Sequence, residues 1–433
     1  MRRIPLLVRR GMRWPHTFTR GATMKTQQKT KKAWTVAVYM AGDNNLDPNA
    51  YLDLKEMKRV GSTADMNIVA QVDSLSAGSK TTRYQITKGQ GASLSKDAKQ
   101  KLGNQNTGDP QSLIDFVSWV ADNYPADRYA LVLWNHGQGW DDTDIFEGER
   151  TGDRRRLRSN TFHHAFFRTT VKKAATAAGH PDKTTRAILI DDNSKDFLDN
   201  VEMQKVAKAA VAKLGGKIDL LGMDACLMNQ IEVAYQLRKQ SAFIVGSELT
   251  EPLEGWPYDR ILARLAKKPK MSPNELAAII VDDYIASYKT DGGPVTQSAV
   301  AVNHIETVAS AIDALAAALV AAMHDSTAKD AIEMARLKTQ RFDDNLNANV
   351  DLRHFCERLD AANVPSAVKS AAKSVEAALD PYIIKNGKLG AKVANAKGVS
   401  IYFPQDEISP LYAKHLDFAK KNSWTKFLRA FVS

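Results

Sequence analysis

Residues 217–228 read KIDLLGMDACLM, a short apolar run that ends in a carboxylate and a thiol. An earlier segment at residues 129–139 reads YALVLWNHGQG and ends in the same way with the imidazole of His136. Short apolar runs of this kind are typical of buried strands. Ligands bind at the carboxyl ends of the strands in an open α/β sheet, so we expect the thiol of Cys226 and the imidazole to meet there. A cysteine nucleophile with a histidine partner is the leading hypothesis.

The rest of the chain predicts the α/β class to which such a sheet belongs. Short apolar runs alternate with longer amphipathic segments, which indicates a mostly parallel sheet flanked by helices. The predicted strands cover residues 34–40, 67–72, 83–87, 129–134, 187–190, 218–223, 242–246, 298–303 and 398–403. The predicted helices include residues 111–123, 309–323 and 367–379. We divide residues 33–433 into an α/β catalytic domain over 33–265 and a largely helical region over 266–433 that returns strands to the sheet.

The net charge of +11 is concentrated at the front of the chain. Residues 1–42 hold ten Lys or Arg and no acid, so the folded body is nearly neutral and nucleic-acid binding is not its expected main role. We predict a basic, disordered leader over residues 1–32, or translation that begins at Met24. The apolar run at residues 4–8 is shorter than the roughly 7 to 15 residues of a secretory signal. We therefore expect a soluble, cytoplasmic monomer, with secretion as the alternative.

Two cysteines, Cys226 and Cys356, are too few for a disulfide framework or a zinc site. A cysteine attacks as the thiolate, so its site must lower the thiol pKa. Apolar residues at helical spacing after Cys226 predict that it lies at the N-terminus of a helix, which would do so. His136 would take the thiol proton, and the amides of Gly137 and Cys226 would stabilise an oxyanion. The alternative is that Cys226 is an ordinary buried side chain, as Cys356 is expected to be.

Asp224 lies two residues before Cys226, and the period of a strand places both side chains on one face. A carboxylate beside a nucleophilic thiolate is useful if it binds a cationic Lys or Arg of a substrate. A carboxylate that caps the next helix is an equally weighted alternative. Glu248 and Trp256, which follow the next predicted strand, are further candidates for the substrate pocket.

Five ordered blocks carry a family resemblance: residues 34–46, 134–137, 223–228, 247–258 and 398–404. On these blocks the chain resembles the clostripain-type cysteine peptidases, which belong to the caspase-like clan. The resemblance implies a caspase-like fold, a dyad of His136 and Cys226, cleavage after Arg or Lys, and a place for Asp224 near the pocket for that side chain. It also implies peptide or protein substrates and no organic cofactor.

Two further properties of the family bear on this sequence. Members often cut themselves in the loop between the two catalytic strands, where this chain carries Arg154, Arg155, Arg156 and Arg158. A run of solvated charges on the surface would explain the same four arginines. Self-processing in this loop and simple exposure to solvent therefore stay open as alternatives. Calcium dependence occurs in the family, yet the sequence shows no calcium loop, and we predict no specific metal ligands. A catalytically silent protein that binds peptides or partners is the alternative function.

Overall fold

The computed structural model describes residues 30–91, 93–140, 188–290, 293–342 and 348–433. Most of the basic leader and the four arginines at the predicted processing site therefore lie outside the described residues. The strands are β1 Lys32–Gly42, β2 Met66–Ser74, β3 Thr81–Gln85, β4 Ala98–Gly103, β5 Ala126–Trp134, β6 Ile188–Asp191, β7 Asp196–Leu198, β8 Ile218–Asp224, β9 Ser241–Gly246, β10 Val295–Ala301, β11 Asn349–Asp351, β12 Ile383–Leu389 and β13 Ser400–Tyr402.

Nine of these strands form one twisted central sheet in the order β12-β10-β9-β8-β5-β1-β2-β3-β4. The five in the middle, from β9 to β2, run parallel, and antiparallel strands extend the sheet at both edges. The parallel strands need crossover connections, which the chain supplies as helices. This arrangement confirms the predicted mostly parallel sheet with flanking helices.

Helices cover both faces of the sheet. They are α1 Asp47–Val60, α2 Pro110–Asn123, α3 Asn200–Leu214, α4 Ile231–Gln236, α5 Tyr258–Lys267, α6 Pro273–Ser287, α7 Ile305–Ala322, α8 Ser326–Leu337, α9 Leu352–Asp360, α10 Ser366–Tyr382, α11 Pro410–His415, α12 Asp417–Lys421 and α13 Trp424–Val432, with short 3-10 turns at Val302–His304 and Ala391–Val393.

Alternate side chains of each central strand enter two different cores, as the period of a strand requires. In β1, Tyr39 packs into a core built with α2, α3, α7 and α10, whereas Val38 and Met40 pack into a core built with α1, α5 and α6. The strands β1, β2, β5 and β8 are almost wholly buried because both faces are covered. Their carboxyl ends therefore emerge from a rigid, double-sided support.

The region beyond residue 266 is mostly helical, and two of its strands, β10 and β12, pair with each other in the central sheet. The division into domains at residue 265 stays a prediction. Two predicted strands lie outside the central sheet: β6 pairs with β7, and β13 pairs with β11. β4 and β12 were not predicted because their sequences, AKQKLG and IIKNGKL, are polar and only partly buried at the sheet's edges.

In the part of the chain that the structure describes, one helical stretch, Val302–Ala322, is long and apolar enough by composition to cross a membrane. Its side chains at Ile312, Leu315 and Leu319 are fully buried within the larger core. The stretch packs against α10 and α13, so its apolar composition is explained by its place in the core of the fold.

Candidate active site

The ends of β5 and β8 bring the predicted nucleophile and base together. These strands are parallel neighbours in which Trp134 pairs with Asp224. His136 and Cys226 each follow two residues later, so they leave the sheet side by side. The amide of Asn135 donates a hydrogen bond to the carbonyl of Asp224 at 3.3 Å, which continues the pairing past the strand ends. The sequence prediction that both side chains lie at one sheet edge is consistent with this geometry.

Gly137 lies close against the segment that carries Cys226. A Cβ added there would lie 2.6 Å from the carbonyl oxygen of Cys226 and 3.0 Å from the side chain of Ala225. Real Cβ atoms do not approach backbone so closely, so a residue without a side chain is required for steric reasons. The Gly137 backbone is thereby held against the residue that carries the thiol.

The thiol of Cys226 is only 3% exposed. Its sulfur accepts a hydrogen bond from the amide of Glu251 at 3.2 Å. Burial raises the pKa of this thiol well above its ordinary value, and the nearby carboxyl groups of Glu251 and Asp224 add to the rise. The cysteine of this structure is therefore a neutral thiol, which needs a base to remove its proton before it can attack.

The helix after Cys226 begins later than the sequence indicated. α4 starts at Ile231 and has only six residues, and Cys226 lies in a turn before it. Leu227 adopts a φ of 61°, a left-handed conformation that is rare for a bulky residue. The prediction that a helix N-terminus activates the thiol is wrong, because this turn separates Cys226 from the helix.

His136, the predicted base, lines the same pocket as Cys226. Its side chain is 7% exposed, and burial lowers the pKa of the imidazole to about 4. The ring is therefore neutral at physiological pH and can accept a proton. Its Nε2 lies 3.0 Å from Oδ1 of Asn45. This contact holds one edge of the ring in place, and the tautomer decides which atom donates.

Asn135 fixes the backbone that carries the imidazole. Its Oδ1 accepts hydrogen bonds from the amides of His136, at 2.5 Å, and Ile190, at 3.1 Å. Its Nδ2 donates to the carbonyls of Ala41 and Ile190. One buried amide therefore links the ends of β1, β5 and β6 directly beside the candidate base. Asn135 stands in one of the sequence blocks of the resemblance, but nothing in the sequence indicated this role.

Asp224 lies in the same pocket as the thiol and is 5% exposed. Its Oδ2 accepts a hydrogen bond from the hydroxyl of Tyr258 at 2.8 Å and a longer one from the amide of Trp256 at 3.4 Å. Gly255 has a φ of 57°, and a Cβ there would lie 3.0 Å from Asp224 Oδ1. Burial raises the pKa of Asp224 to about 6. The contacts do not show a helix cap, so the alternative role of Asp224 finds no support.

Glu251 completes an acidic pair with Asp224. Its side chain is 5% exposed, and Oε1 accepts a hydrogen bond from Gln297 at 3.2 Å. Burial raises the pKa of Glu251 well above its ordinary value, and the neighbouring charge of Asp224 raises it further. Two facing carboxyl groups in a buried place share a proton, so the pair carries about one negative charge near neutral pH. Glu251 stands in one of the sequence blocks of the resemblance, residues 247–258, but was not among the predicted pocket residues.

The pocket beside the thiol brings together three of the predicted site residues, His136, Asp224 and Cys226. It is lined by Leu46, Trp134, Asn135, His136, Asp224, Ala225, Cys226, Glu251, Pro252, Leu253 and Gly255. The predicted pocket residues Glu248 and Trp256 are absent from this lining. The ring of Trp256 is 1% exposed and packs in the core against Gly222, so only its backbone serves the site through Asp224.

Glu248 points away from the pocket. It is 1% exposed, and its Oε2 accepts a hydrogen bond from the amide of Gly398 at 2.9 Å. Burial raises its pKa well above the ordinary value, and the neighbouring Asp351 contributes to the rise. The prediction that Glu248 contacts substrate is not supported, because the loop after β9 turns this side chain toward β11.

Within the described residues, one further acidic group could hold a cation. Asp43, Asp73 and Asp191 each place a carboxylate oxygen within 4.8 Å of the others. The sequence gave no signal for this group, because its members are far apart along the chain and meet only where β1, β2 and β6 end.

Comparison with known proteins identifies similar sequences and folds. The model of the clostripain family matches residues 38–151 and 174–431. Clostripain from Hathewaya histolytica is 27% identical over 271 residues, which is 56% of this chain but only 44% of that protein's length. The chain thus spans less than half of this curated relative.

Solved structures show the same fold. A secreted C11 cysteine protease from Bacteroides thetaiotaomicron, in complex with an irreversible peptide inhibitor, has 20% identity and a TM-score of 0.62 over 91% of this chain and 99% of that one. An inactive zymogen C11 protease from Parabacteroides distasonis has 21% identity and a TM-score of 0.62 over 90% of this chain and 98% of that one.

Proposed function

The chain belongs to the clostripain family of cysteine peptidases, and from that premise we propose that it is an endopeptidase that cleaves peptide bonds after Arg or Lys. The observation that supports the proposal is one pocket in which the thiol of Cys226, the imidazole of His136 and the carboxyl pair of Asp224 and Glu251 line the same space. Nucleophile, base and an anionic group that fits a cationic side chain are the parts that this reaction needs.

The chemistry follows from the protonation states of the site. Cys226 begins as a thiol and His136 as a neutral base, so the imidazole takes the thiol proton as the sulfur attacks the substrate carbonyl. The tetrahedral oxyanion would be stabilised by the amides of Gly137 and Cys226. His136 then gives its proton to the leaving amine, and the C–N bond breaks to leave a thioester. Water, deprotonated by the same imidazole, hydrolyses the thioester and restores the thiol.

The acidic pair accounts for the proposed preference for basic side chains. Asp224 and Glu251 carry about one negative charge in a space from which water is largely excluded, where a charge-assisted contact is stronger than in solvent. A guanidinium or ammonium group would neutralise this charge and favour loss of the shared proton. A neutral or acidic side chain would leave the buried charge without a partner, which is unfavourable.

Self-processing in the segment that contains Arg154, Arg155, Arg156 and Arg158 is part of the proposal. The thiol and imidazole are 3% and 7% exposed, which fits a precursor whose pocket is covered until a cut is made. The zymogen state is known of the Parabacteroides relative. We propose that self-processing also occurs here, that the protein is cytoplasmic and that it requires no cofactor, with calcium dependence as the alternative. The Bacteroides relative is a secreted protein.

The test compares the wild-type protein with Cys226→Ala and with Cys356→Ala, a matched control at the other buried cysteine. Each is incubated with fluorogenic peptides that end in Arg, Lys, Asp or Leu, and its intact mass is measured. We expect cleavage after Arg and Lys only, and a cut between residues 154 and 158, in the wild type and in Cys356→Ala. Both should vanish in Cys226→Ala. Silence of the wild type on every peptide, with and without calcium, would favour the catalytically silent peptide-binding alternative.

A further inference from the structure

Residues 137–140, which follow the candidate base, run along the segment that follows the thiol. The amide of Gly139 donates a hydrogen bond to the sulfur of Met228 at 3.3 Å. The amide of Trp140 donates to Oε1 of Gln230 at 3.0 Å. The segment that carries the base is therefore bonded to the segment that carries the nucleophile well beyond the end of the sheet.

The contact with Gln230 depends on a close fit at Gly139. This glycine has a φ of 72°, and a Cβ built there would lie 2.2 Å from the side-chain nitrogen of Gln230. Only a residue without a side chain tolerates both conditions easily. Gln230 is fully buried, and a buried backbone N–H that loses its acceptor is costly. The side-chain oxygen of Gln230 therefore stabilises the position of Trp140.

The ring of Trp140 is held by two tyrosines of the region beyond residue 266. Trp140 is 3% exposed. Its ring contacts Tyr402, which ends β13, at a centroid distance of 4.5 Å and an angle of 69°. It contacts Tyr412 of α11 at 5.0 Å and 75°. Edge-to-face contacts of this kind are favourable and fix the orientation of a ring.

Glu232 of α4 holds both tyrosines in place. It is fully buried, and its Oε1 accepts from the amide of Tyr402 at 3.0 Å and from the hydroxyl of Tyr412 at 2.8 Å. Two residues of the stretch that follows the nucleophile, Gln230 and Glu232, therefore support Trp140. The first binds its backbone, and the second holds the rings that enclose its side chain.

We propose that Trp140 and Gln230, here called the latch, are positioning residues that hold His136 where it can serve Cys226. The inference rests on the proposed function, in which these two side chains form the dyad. His136 lies only four residues before Trp140, and two of the three residues between them are glycines, which leave a backbone free to move. Fixing Trp140 removes that freedom. Misplacement of a catalytic group by about 1 Å can lower a rate about 100-fold.

The latch joins chain from the two sides of residues 141–187, the segment in which processing is proposed. Trp140 precedes this segment, whereas Gln230 and both tyrosines follow it. The contacts of the latch are non-covalent and lie outside the segment. They would therefore keep the base beside the nucleophile after a cut between residues 154 and 158.

The first pair of variants removes a hydrogen-bond acceptor. Gln230→Met leaves the amide of Trp140 without its acceptor. Gln236→Met is the matched control, because Gln236 is also buried and its Oε1 accepts from the amide of Asp417, likewise at 3.0 Å. Each variant therefore loses one buried bond from a side-chain oxygen to a backbone N–H, and only one of the two bonds belongs to the latch.

The second pair of variants removes an indole ring. Trp140→Leu leaves the two tyrosines without the ring between them. Trp119→Leu is the matched control, because Trp119 is a buried tryptophan of α2 in the same core, and its ring contacts Phe116 and Tyr124. Trp140→Phe is the conservative variant, since it keeps an aromatic ring at this position.

On the Arg peptide of the activity test, Gln230→Met and Trp140→Leu should lower kcat at least about tenfold and change KM by less than about threefold. The reason is that the substrate pocket is kept and only the base is displaced. Both controls should keep kcat within about threefold of the parent although their Tm falls, because each also loses a buried contact. Trp140→Phe should restore most of kcat.

A second measurement needs no catalysis. The imidazole of His136 is followed by NMR from about pH 8 to about pH 5 in protein that carries Cys226→Ala. Burial lowers the pKa of His136 to about 4, so the ring should stay neutral over this range. The other ionisable groups that line its pocket in this protein are Asp224 and Glu251. His136→Gln identifies the signal.

In the latch variants, water reaches the ring more easily, so the pKa of His136 should rise by at least about one pH unit, whereas in the controls it should not. An equal loss of kcat in latch variants and controls would overturn the positioning role, and so would an unchanged titration of His136 in the latch variants. If the wild type is silent on every peptide, the proposed function fails. The titration alone then decides whether the latch holds the imidazole.

Discussion

The acidic pair in the pocket leads to a prediction about how two substitutions combine. In Asp224→Asn, a neutral amide replaces one carboxyl group of the pair. Glu251 then loses the neighbouring charge that helps to raise its pKa. Glu251 then ionises more readily and replaces part of the missing negative charge. Removing one partner of a buried charge pair costs about 2 to 5 kcal/mol. With this compensation we expect a loss near the lower limit, about 2 kcal/mol or about 30-fold in kcat/KM for an Arg peptide.

In the double variant Asp224→Asn/Glu251→Gln, neither side chain of the pair can carry a negative charge. It should lose about 4 kcal/mol, or about 1,000-fold in kcat/KM, because the pocket no longer holds a negative charge. Glu251→Gln alone should lose less than about threefold, since Asp224 remains and the glutamine oxygen still accepts from Gln297. The combined loss therefore exceeds the sum of the single losses, which is the signature of two groups that share one charge.

The assay compares two peptides that differ only in Arg or citrulline before the scissile bond, since citrulline has nearly the same shape and no charge. For the citrulline peptide, none of the three variants should lose more than about threefold relative to the parent protein, because no charge–charge contact is lost. An equal fall on both peptides would refute the reasoning and would assign the carboxyl groups to folding or to the chemical step. A double variant no worse than Asp224→Asn would refute the shared charge.

Three further predictions concern the same pocket. Since the pKa of Asp224 is about 6, its negative charge is present above that pH and is lost below it. KM for Arg peptides should therefore rise below pH 6, whereas KM for citrulline peptides should not rise. Gly137→Ala would bring a Cβ to 2.6 Å from the Cys226 carbonyl oxygen, so we expect Tm to fall and kcat/KM to fall at least about 100-fold. A Tm and an activity near those of the parent would contradict the close approach. Asn45→Ala should lower kcat about tenfold at constant KM. Asn45→Asp should raise the pKa of His136 and move the acid limb of the pH profile of kcat to higher pH. An unchanged pH profile would argue against the contact between Asn45 and His136.

The sheet and the meeting of the two catalytic candidates could be predicted because both depend on local patterns. Buried strands read as short apolar runs, and a parallel sheet places their ends at one edge. The turn at Leu227 could not be predicted, since its φ of 61° is imposed by tertiary packing and the following residues have an ordinary helical spacing. Propensity is a weak prior where packing decides the backbone.

The side-chain networks were harder to infer for a related reason. Glu248 and Glu251 are three residues apart in a loop, and only the path of that loop sends one toward Asp351 and the other toward Asp224. The carboxylates at residues 43, 73 and 191 come from three separate segments. Contacts between distant segments carry no periodicity, so a single sequence does not reveal them.

The order of strands in the sheet has a consequence for how the protein can be divided. In the central sheet, residues before 141 supply β1 to β5 and residues after 187 supply β8, β9, β10 and β12. The two sets of strands pair along one seam, between β5 and β8. The imidazole belongs to one set and the thiol to the other. Two separately produced fragments would each be inert and would each expose the open edge of a strand, a surface prone to aggregation. When the two fragments are produced together, peptidase activity should return only if they associate across the seam between β5 and β8. Peptidase activity would then report directly on the association of the fragments.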